Sequence, residues 1–167
     1  MVSSAVQQAW DALDAVPDPE IPVVSIRELG ILRDVREDGD GLEVVITPTY
    51  SGCPAMDQIT DDIHTALAQR HLNARITTQL APAWTTDWIT ATAKAKLRSY
   101  GIAPPHTLAP GSDRVIHFTP RHAAAAVACP QCGSANTTET SHFGSTACKA
   151  LYKCLDCLEP FDYFKPY

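Results

Sequence analysis

Two short cysteine pairs, Cys129-Pro-Gln-Cys132 and Cys154-Leu-Asp-Cys157, constrain this chain more than any other feature. They are separated by 21 residues, close to the spacing at which four thiolates converge tetrahedrally on one ion. Each knuckle can turn backbone amides toward its sulfurs. A segment this short cannot bury enough apolar surface to offset its ordering entropy without the metal. The spacing therefore predicts a β-rich ribbon over residues 129–167, with Cys129, Cys132, Cys154 and Cys157 holding a structural zinc ion. A rubredoxin-like iron site is the other occupant such a set takes, and four unrelated thiols is the bland reading. Four filled positions leave no open coordination site, so the ion holds structure and does not activate water.

Cys148 and His142 fall inside the same module with less diagnostic spacing. Each is a candidate auxiliary ligand, and Cys148 is equally readable as a small buried hydrophobe or an exposed thiol beside the ribbon. The aromatic residues Phe161, Tyr163, Phe164 and Tyr167 are expected to pack the ribbon or dock a partner.

Composition supports metal chemistry over disulfides. The start MVSSAVQQAW lacks the cationic-then-apolar pattern of an export signal, which predicts a cytoplasmic protein whose thiols stay reduced. No segment approaches the roughly 18 to 20 uninterrupted apolar residues that cross a bilayer. A formal charge of -6 and a pI near 5.4 argue against a surface that neutralises phosphates, and so against nucleic acid. With 167 residues and 45% hydrophobic composition, the chain has material for one ordinary core plus a small satellite.

Upstream of the knuckles the pattern is α+β. Val6, Trp10, Leu13 and Val16 recur at helical spacing behind a serine, which predicts a first helix from Ser3 to Val16, stopped by Pro17 and Pro19. Residues 31–37 and 42–50 read as the arms of a hairpin around Asp38-Gly-Asp-Gly41. Met56, Ile59, Ile63 and Leu67 predict a second helix from Pro54 to about His71. A third strand over residues 74–80 and a helix from Thr90 to Tyr100, ended by Gly101, complete a domain over residues 1–105. Residues 103–128 contain four prolines, a Gly-Ser pair and an alanine run, so 106–128 reads as a linker with one short strand at Val115 to Phe118. The module of residues 129–167 follows.

Two further features carry chemistry. Cys53 is expected at the N-cap of the second helix, where unpaired backbone N–H groups and the helix dipole lower a thiol pKa; a buried, inert cysteine is the bland alternative. The stiff loop Asp18-Pro-Glu-Ile-Pro22 presents Asp18 and Glu20, either as a carboxylate pair or as an ordinary charged turn. His64, His71, His106, His117 and His122 show no repeated ligand spacing, and no Ser-His-Asp or Cys-His pairing is assignable.

The segments Asp18-Pro-Glu-Ile-Pro-Val-Val24, Glu28-Leu-Gly-Ile31 and Thr47-Pro-Thr-Tyr-Ser-Gly-Cys-Pro54 resemble the SufT-like iron–sulfur assembly domain. That resemblance implies a small α+β fold, a part in delivering iron–sulfur clusters to client proteins, and a reactive cysteine at Cys53. Nearly end to end the chain is similar to the PaaD family, through Trp84 to Trp88, Lys96-Leu-Arg-Ser-Tyr-Gly-Ile102, Cys148-Lys-Ala-Leu-Tyr-Lys-Cys154 and Glu159-Pro-Phe-Asp162. This second resemblance implies an accessory, non-catalytic role in aerobic phenylacetate breakdown. The expected partners are the oxygenase and reductase subunits of the phenylacetyl-CoA epoxidase. The expected cargo is a transient iron ion or iron–sulfur cluster on Cys53. Because clusters usually take four thiolates, one cysteine leaves ligands to come from a second protomer in a homodimer, from Cys148 or from a small thiol. The alternative is a stable non-catalytic or electron-transfer subunit of the same complex.

Overall fold

The computed structural model describes residues 3–39, 41–106 and 126–167. The chain forms two compact units, Met1–Ala93 and Lys94–Tyr167. The mixed α and β content matches the expected class.

In the first unit α1 (Ser4–Leu13) starts at Ser3, whose hydroxyl accepts from the Val6 N–H. It buries Val6, Ala9 and Leu13, the three- and four-residue repeat of an amphipathic helix. The helix stops at Leu13, short of the expected Val16. Val16 N–H turns back to the Leu13 carbonyl at 3.2 Å ahead of Pro17, which has no N–H to continue the helix.

Strand β1 (Leu32–Asp38) pairs antiparallel with β2 (Gly41–Ile46), closing the expected hairpin at Asp38 and Gly41. β2 then pairs in parallel with β3 (Ala74–Thr78). The crossover between these two strands is α2 (Ala55–Ala68), which lays Ile59, Ile63 and Leu67 into the core. β2 ends before the expected Tyr50 because Pro48 has no ladder donor. Thr47 N–H goes instead to the Ile31 carbonyl at 2.8 Å. The core is aliphatic: Val24, Ile26, Leu29, Ile31, Val44 and Ile46 are all essentially inaccessible.

Two features lock the loops around this sheet. Glu43, buried on β2, accepts from Arg36 Nε at 2.7 Å, Arg75 at 2.9 Å and Thr77 Oγ1 at 2.7 Å, so its charge is fully partnered. Gly30 has φ +75°, and a Cβ there would lie 2.6 Å from Trp88 Cβ. Only glycine accepts both that conformation and that approach. Trp84 ties the same region down by donating its indole N–H to the Leu29 carbonyl at 3.0 Å.

Helix α3 (Ala91–Tyr100) straddles the division between the units and buries Ala93 and Leu97. The second unit contains a four-stranded sheet in the order β4-β7-β6-β5. β4 (Ile102–Ala103) is parallel to β7 (Pro160–Phe164). β7 pairs antiparallel with β6 (Lys149–Cys154), and β6 with β5 (Thr137–Ser141). Residues 102 and 103, read from the sequence as the end of the first domain, thus contribute a strand to the ribbon sheet. A two-residue strand carries no periodic signal of its own. Most of the expected linker, with the strand at Val115 to Phe118 and His117 and His122, lies outside the described residues. Among the described residues no helix is long and apolar enough to cross a membrane.

Candidate functional site

The metal centre is built from two turns, the first ahead of β5 and the second at the end of β6. In the first knuckle Gly133 N–H donates to the Cys129 carbonyl, and Cys129 N–H to the Ser134 carbonyl, both at 2.9 Å. Gly133 permits this reversal at φ +77°. In the second, Cys154 N–H donates to the Glu159 carbonyl at 3.0 Å. There Leu158 takes the left-handed conformation, φ +67°, that glycine takes in the first.

These turns bring the sulfurs of Cys129, Cys132, Cys154 and Cys157 within 4.8 Å of one another. Cys129 Sγ lies 3.7 Å from Cys157 Sγ, and Cys132 Sγ 3.6 Å from Cys154 Sγ. A regular tetrahedron with Zn–S bonds of about 2.3 Å has S–S edges of about 3.8 Å, so the donor set fits zinc. Cys157 N–H points at Cys154 Sγ at 3.5 Å, and this amide, with that of Asp156, draws the Cys154 thiol down to about 7. An amide directed at sulfur stabilises the thiolate that a metal needs.

The centre is also part of the core of its unit. Cys129 and Cys154 are buried in one cluster with Ala103, Val127, Phe161 and Tyr163, with Tyr152 and Cys157 packed alongside. Tyr152 meets Tyr163 edge-on at 5.4 Å between ring centroids and lies 5.9 Å from Phe161. Phe161 and Tyr163 are therefore ribbon packing; Phe164 is buried as well, whereas Tyr167 stays 39% exposed and donates to the Ala147 carbonyl.

Neither auxiliary candidate joins the four thiols. Cys148 precedes β6 and Cys154 ends it, about 20 Å apart along an extended strand. Cys148 is buried, with its sulfur 3.0 Å from Thr146 Oγ1. His142 Nδ1 faces Glu139 Oε1 at 3.4 Å. Among the described residues no other group of three or more His, Cys, Asp or Glu donors gathers closely enough to hold an ion.

Cys53 sits on the loop entering α2. The turn is closed by Cys53 N–H to the Tyr50 carbonyl at 3.1 Å. The expected N-cap position belongs to Pro54, so Cys53 stands one residue earlier. The thiol is half-buried, and its pKa is raised, the reverse of the sequence expectation. Burial is the main cause; the nearby carboxylates of Glu20 and Asp18 add to it, and the Ala55 N–H and Thr49 hydroxyl oppose it without prevailing. The helix terminus does act on the thiol, but desolvation and like charge outweigh it.

The two acids differ in role. Asp18 is buried, and one carboxylate oxygen accepts from Glu20 N–H at 3.0 Å and Ile21 N–H at 2.8 Å. It shapes the loop, as an Asx turn does. Glu20, partly exposed, is the carboxylate whose field acts more strongly on Cys53. Thr49, buried beside the thiol, is a neighbour that sequence reasoning does not single out; its place in the Thr47–Pro54 segment that carries the assembly-domain resemblance is the signal for it.

The two regions match two family models. Residues 6–77 match the iron–sulfur cluster assembly protein family, and residues 115–165 the PaaD zinc beta ribbon domain. The first region is also similar to the "Fe-S protein maturation auxiliary factor YitW" of Bacillus subtilis (strain 168). That match is 37% identical over 89 residues, 52% of this chain and 86% of the relative. The crystal structure of a domain of unknown function, DUF59, from Bacillus anthracis shares the fold at TM-score 0.52 and 28% identity, covering 56% of this chain and 92% of that one. A relative from Escherichia coli (strain K12), described as a putative subunit of 1,2-phenylacetyl-CoA epoxidase, is 47% identical over 161 residues, 96% of this chain and 92% of the relative. With that identity sustained through both the assembly domain and the zinc ribbon, the chain belongs to the PaaD family.

Proposed function

We propose that this protein is a non-catalytic accessory factor of phenylacetate degradation that supplies iron, as an ion or an iron–sulfur cluster, to the oxygenase or reductase of a phenylacetyl-CoA epoxidase. The observation that carries this reading is the position of Cys53. It lies in the domain matched by the iron–sulfur cluster assembly family, on a loop where the Ala55 N–H and the Thr49 hydroxyl hydrogen-bond its sulfur and the Glu20 and Asp18 carboxylates act on it through their charge. A thiol held beside a carboxylate and a hydroxyl can bind a cation and, with few ligands of its own, release it to a better site. The ribbon, its four positions filled by Cys129, Cys132, Cys154 and Cys157, gives the protein a rigid module for recognising a client.

The test is a Cys53→Ser strain grown on phenylacetate, with iron measured in the purified oxygenase and reductase. Client iron and phenylacetyl-CoA turnover are expected to fall together, while the variant keeps its fold and its zinc. Normal iron and turnover overturn the carrier reading. The description of the Escherichia coli relative as an epoxidase subunit favours a second reading: a stable component of the epoxidase complex. Lost turnover with client iron intact and the complex dissociated supports that one.

A further inference from the structure

The metal centre is unevenly protected. Cys129 and Cys154 are buried and Cys157 is half-buried, whereas Cys132 faces solvent. The bond to Cys132 is therefore the one a competing ligand or an alkylating reagent reaches first. Cys132 is not part of the buried cluster that holds Cys129 and Cys154, and polar contacts link the chain just beyond it to the second knuckle.

Ser134, two residues beyond Cys132, hydrogen-bonds through its hydroxyl to Asp156 Oδ2. Asn136 Nδ2 donates to the other carboxylate oxygen at 2.7 Å, and Asn136 N–H donates to Ser134 Oγ at 3.0 Å. The Asn136 carbonyl in turn accepts from Leu155 N–H at 2.8 Å. Asp156 lies between Cys154 and Cys157 in the second knuckle. One carboxylate, with one donor on each oxygen, thus ties the chain leaving the first knuckle to the turn of the second.

We propose that Asp156 is a positioning residue of the metal centre: through Ser134 and Asn136 it keeps the solvent-facing Cys132 thiolate seated on the ion and sets how readily the metal leaves. Partners just outside the ligand shell fix ligand orientation, and their loss typically lowers metal affinity by roughly 10- to 100-fold. Here the effect is concentrated on one ligand, because the other three lie in or against the unit's buried cluster.

The full-length zinc-loaded protein tests this directly. Metal release to an excess of a colorimetric chelator is expected to be roughly tenfold faster in Asp156→Ala. It should be intermediate in Asp156→Asn, which keeps one accepting oxygen, and no faster in the Ser134→Ala, Asp156→Ala double variant than in Asp156→Ala alone. Iodoacetamide labelling with peptide mapping separates positioning from a general loosening. In Asp156→Ala, Cys132 should be modified faster than in the wild-type protein while Cys129 and Cys154 stay protected. Release at the wild-type rate, fully additive effects in the double variant, or simultaneous modification of all four thiols would each overturn the proposal. Should the alanine variant fail to load zinc, Asp156→Asn carries the test, and wild-type release from it overturns the proposal equally.

Discussion

The two units of this chain reach a folded state by different means. In the first, Leu13, Ile26, Leu29, Ile31, Val44, Ile46, Ile59, Ile63 and Leu67 make an aliphatic interior that needs no ligand. In the second, the buried cluster of Ala103, Val127, Cys129, Cys154, Phe161 and Tyr163 contains two of the metal's own ligands. Removing apolar area weakens the first kind of core in proportion to what is lost. The second kind fails as a whole, since apparent binding energies of about 10–16 kcal/mol for a structural zinc are folding energy there.

The largest expected effect breaks the comparison at the metal. Cys132→Ser or Cys157→Ser should abolish zinc binding and make residues 129–167 protease-sensitive, while residues 1–93 keep their amide exchange protection. Retained zinc and an intact ribbon in either variant would remove the four-thiolate assignment. Next comes the converse experiment. Ile63→Ala, at an inaccessible site on α2, should cost the first unit about 2–5 kcal/mol. Chemical denaturation followed through Trp10 and Trp84 fluorescence measures this, and zinc content should not change.

A smaller effect sharpens the contrast between the two knuckles. Leu158 holds a left-handed φ with its side chain 63% exposed, so burial compensates little of the strain. Leu158→Gly should stabilise the ribbon by about 1 kcal/mol, seen as slower zinc loss and a higher thermal midpoint; a lower midpoint would mean that the leucine packs in the native state.

The smallest effect concerns Cys53. Its pKa is raised, chiefly by burial and then by Glu20. Its alkylation at neutral pH should therefore be slower than that of a free thiol of pKa about 8.5. Glu20→Gln removes a charge that opposes the thiolate, so the folded pKa should fall and the neutral-pH rate rise. A rate that drops or stays constant places Glu20 away from the sulfur.

Local spacing makes much of this visible in the sequence. Ile59, Ile63 and Leu67 announce one face of a helix, and a proline such as Pro17 or Pro48 announces where a ladder stops. The direction of the Cys53 shift is not legible there, for a clear reason. A helix terminus follows from a few adjacent residues, but desolvation and the placement of Glu20, 33 positions upstream, depend on how a distant loop folds back. The same holds for Glu43, whose carboxylate meets Arg75 and Thr77 across a parallel pairing that no hairpin period predicts.

By itself, the sequence determined which four cysteines gather into one cluster and the class of both units. A Cys-x-x-Cys knuckle is a local object, and two of them at this spacing leave one economical arrangement around an ion. Only the tertiary structure decided that residues 102–103 complete the ribbon sheet, that Cys148 and His142 stand away from the metal, and that Asp156 bridges to Ser134 and Asn136. These are contacts between residues far apart in the chain. No periodicity encodes such contacts, and they come into being when backbone pairing brings two strand ends to one place.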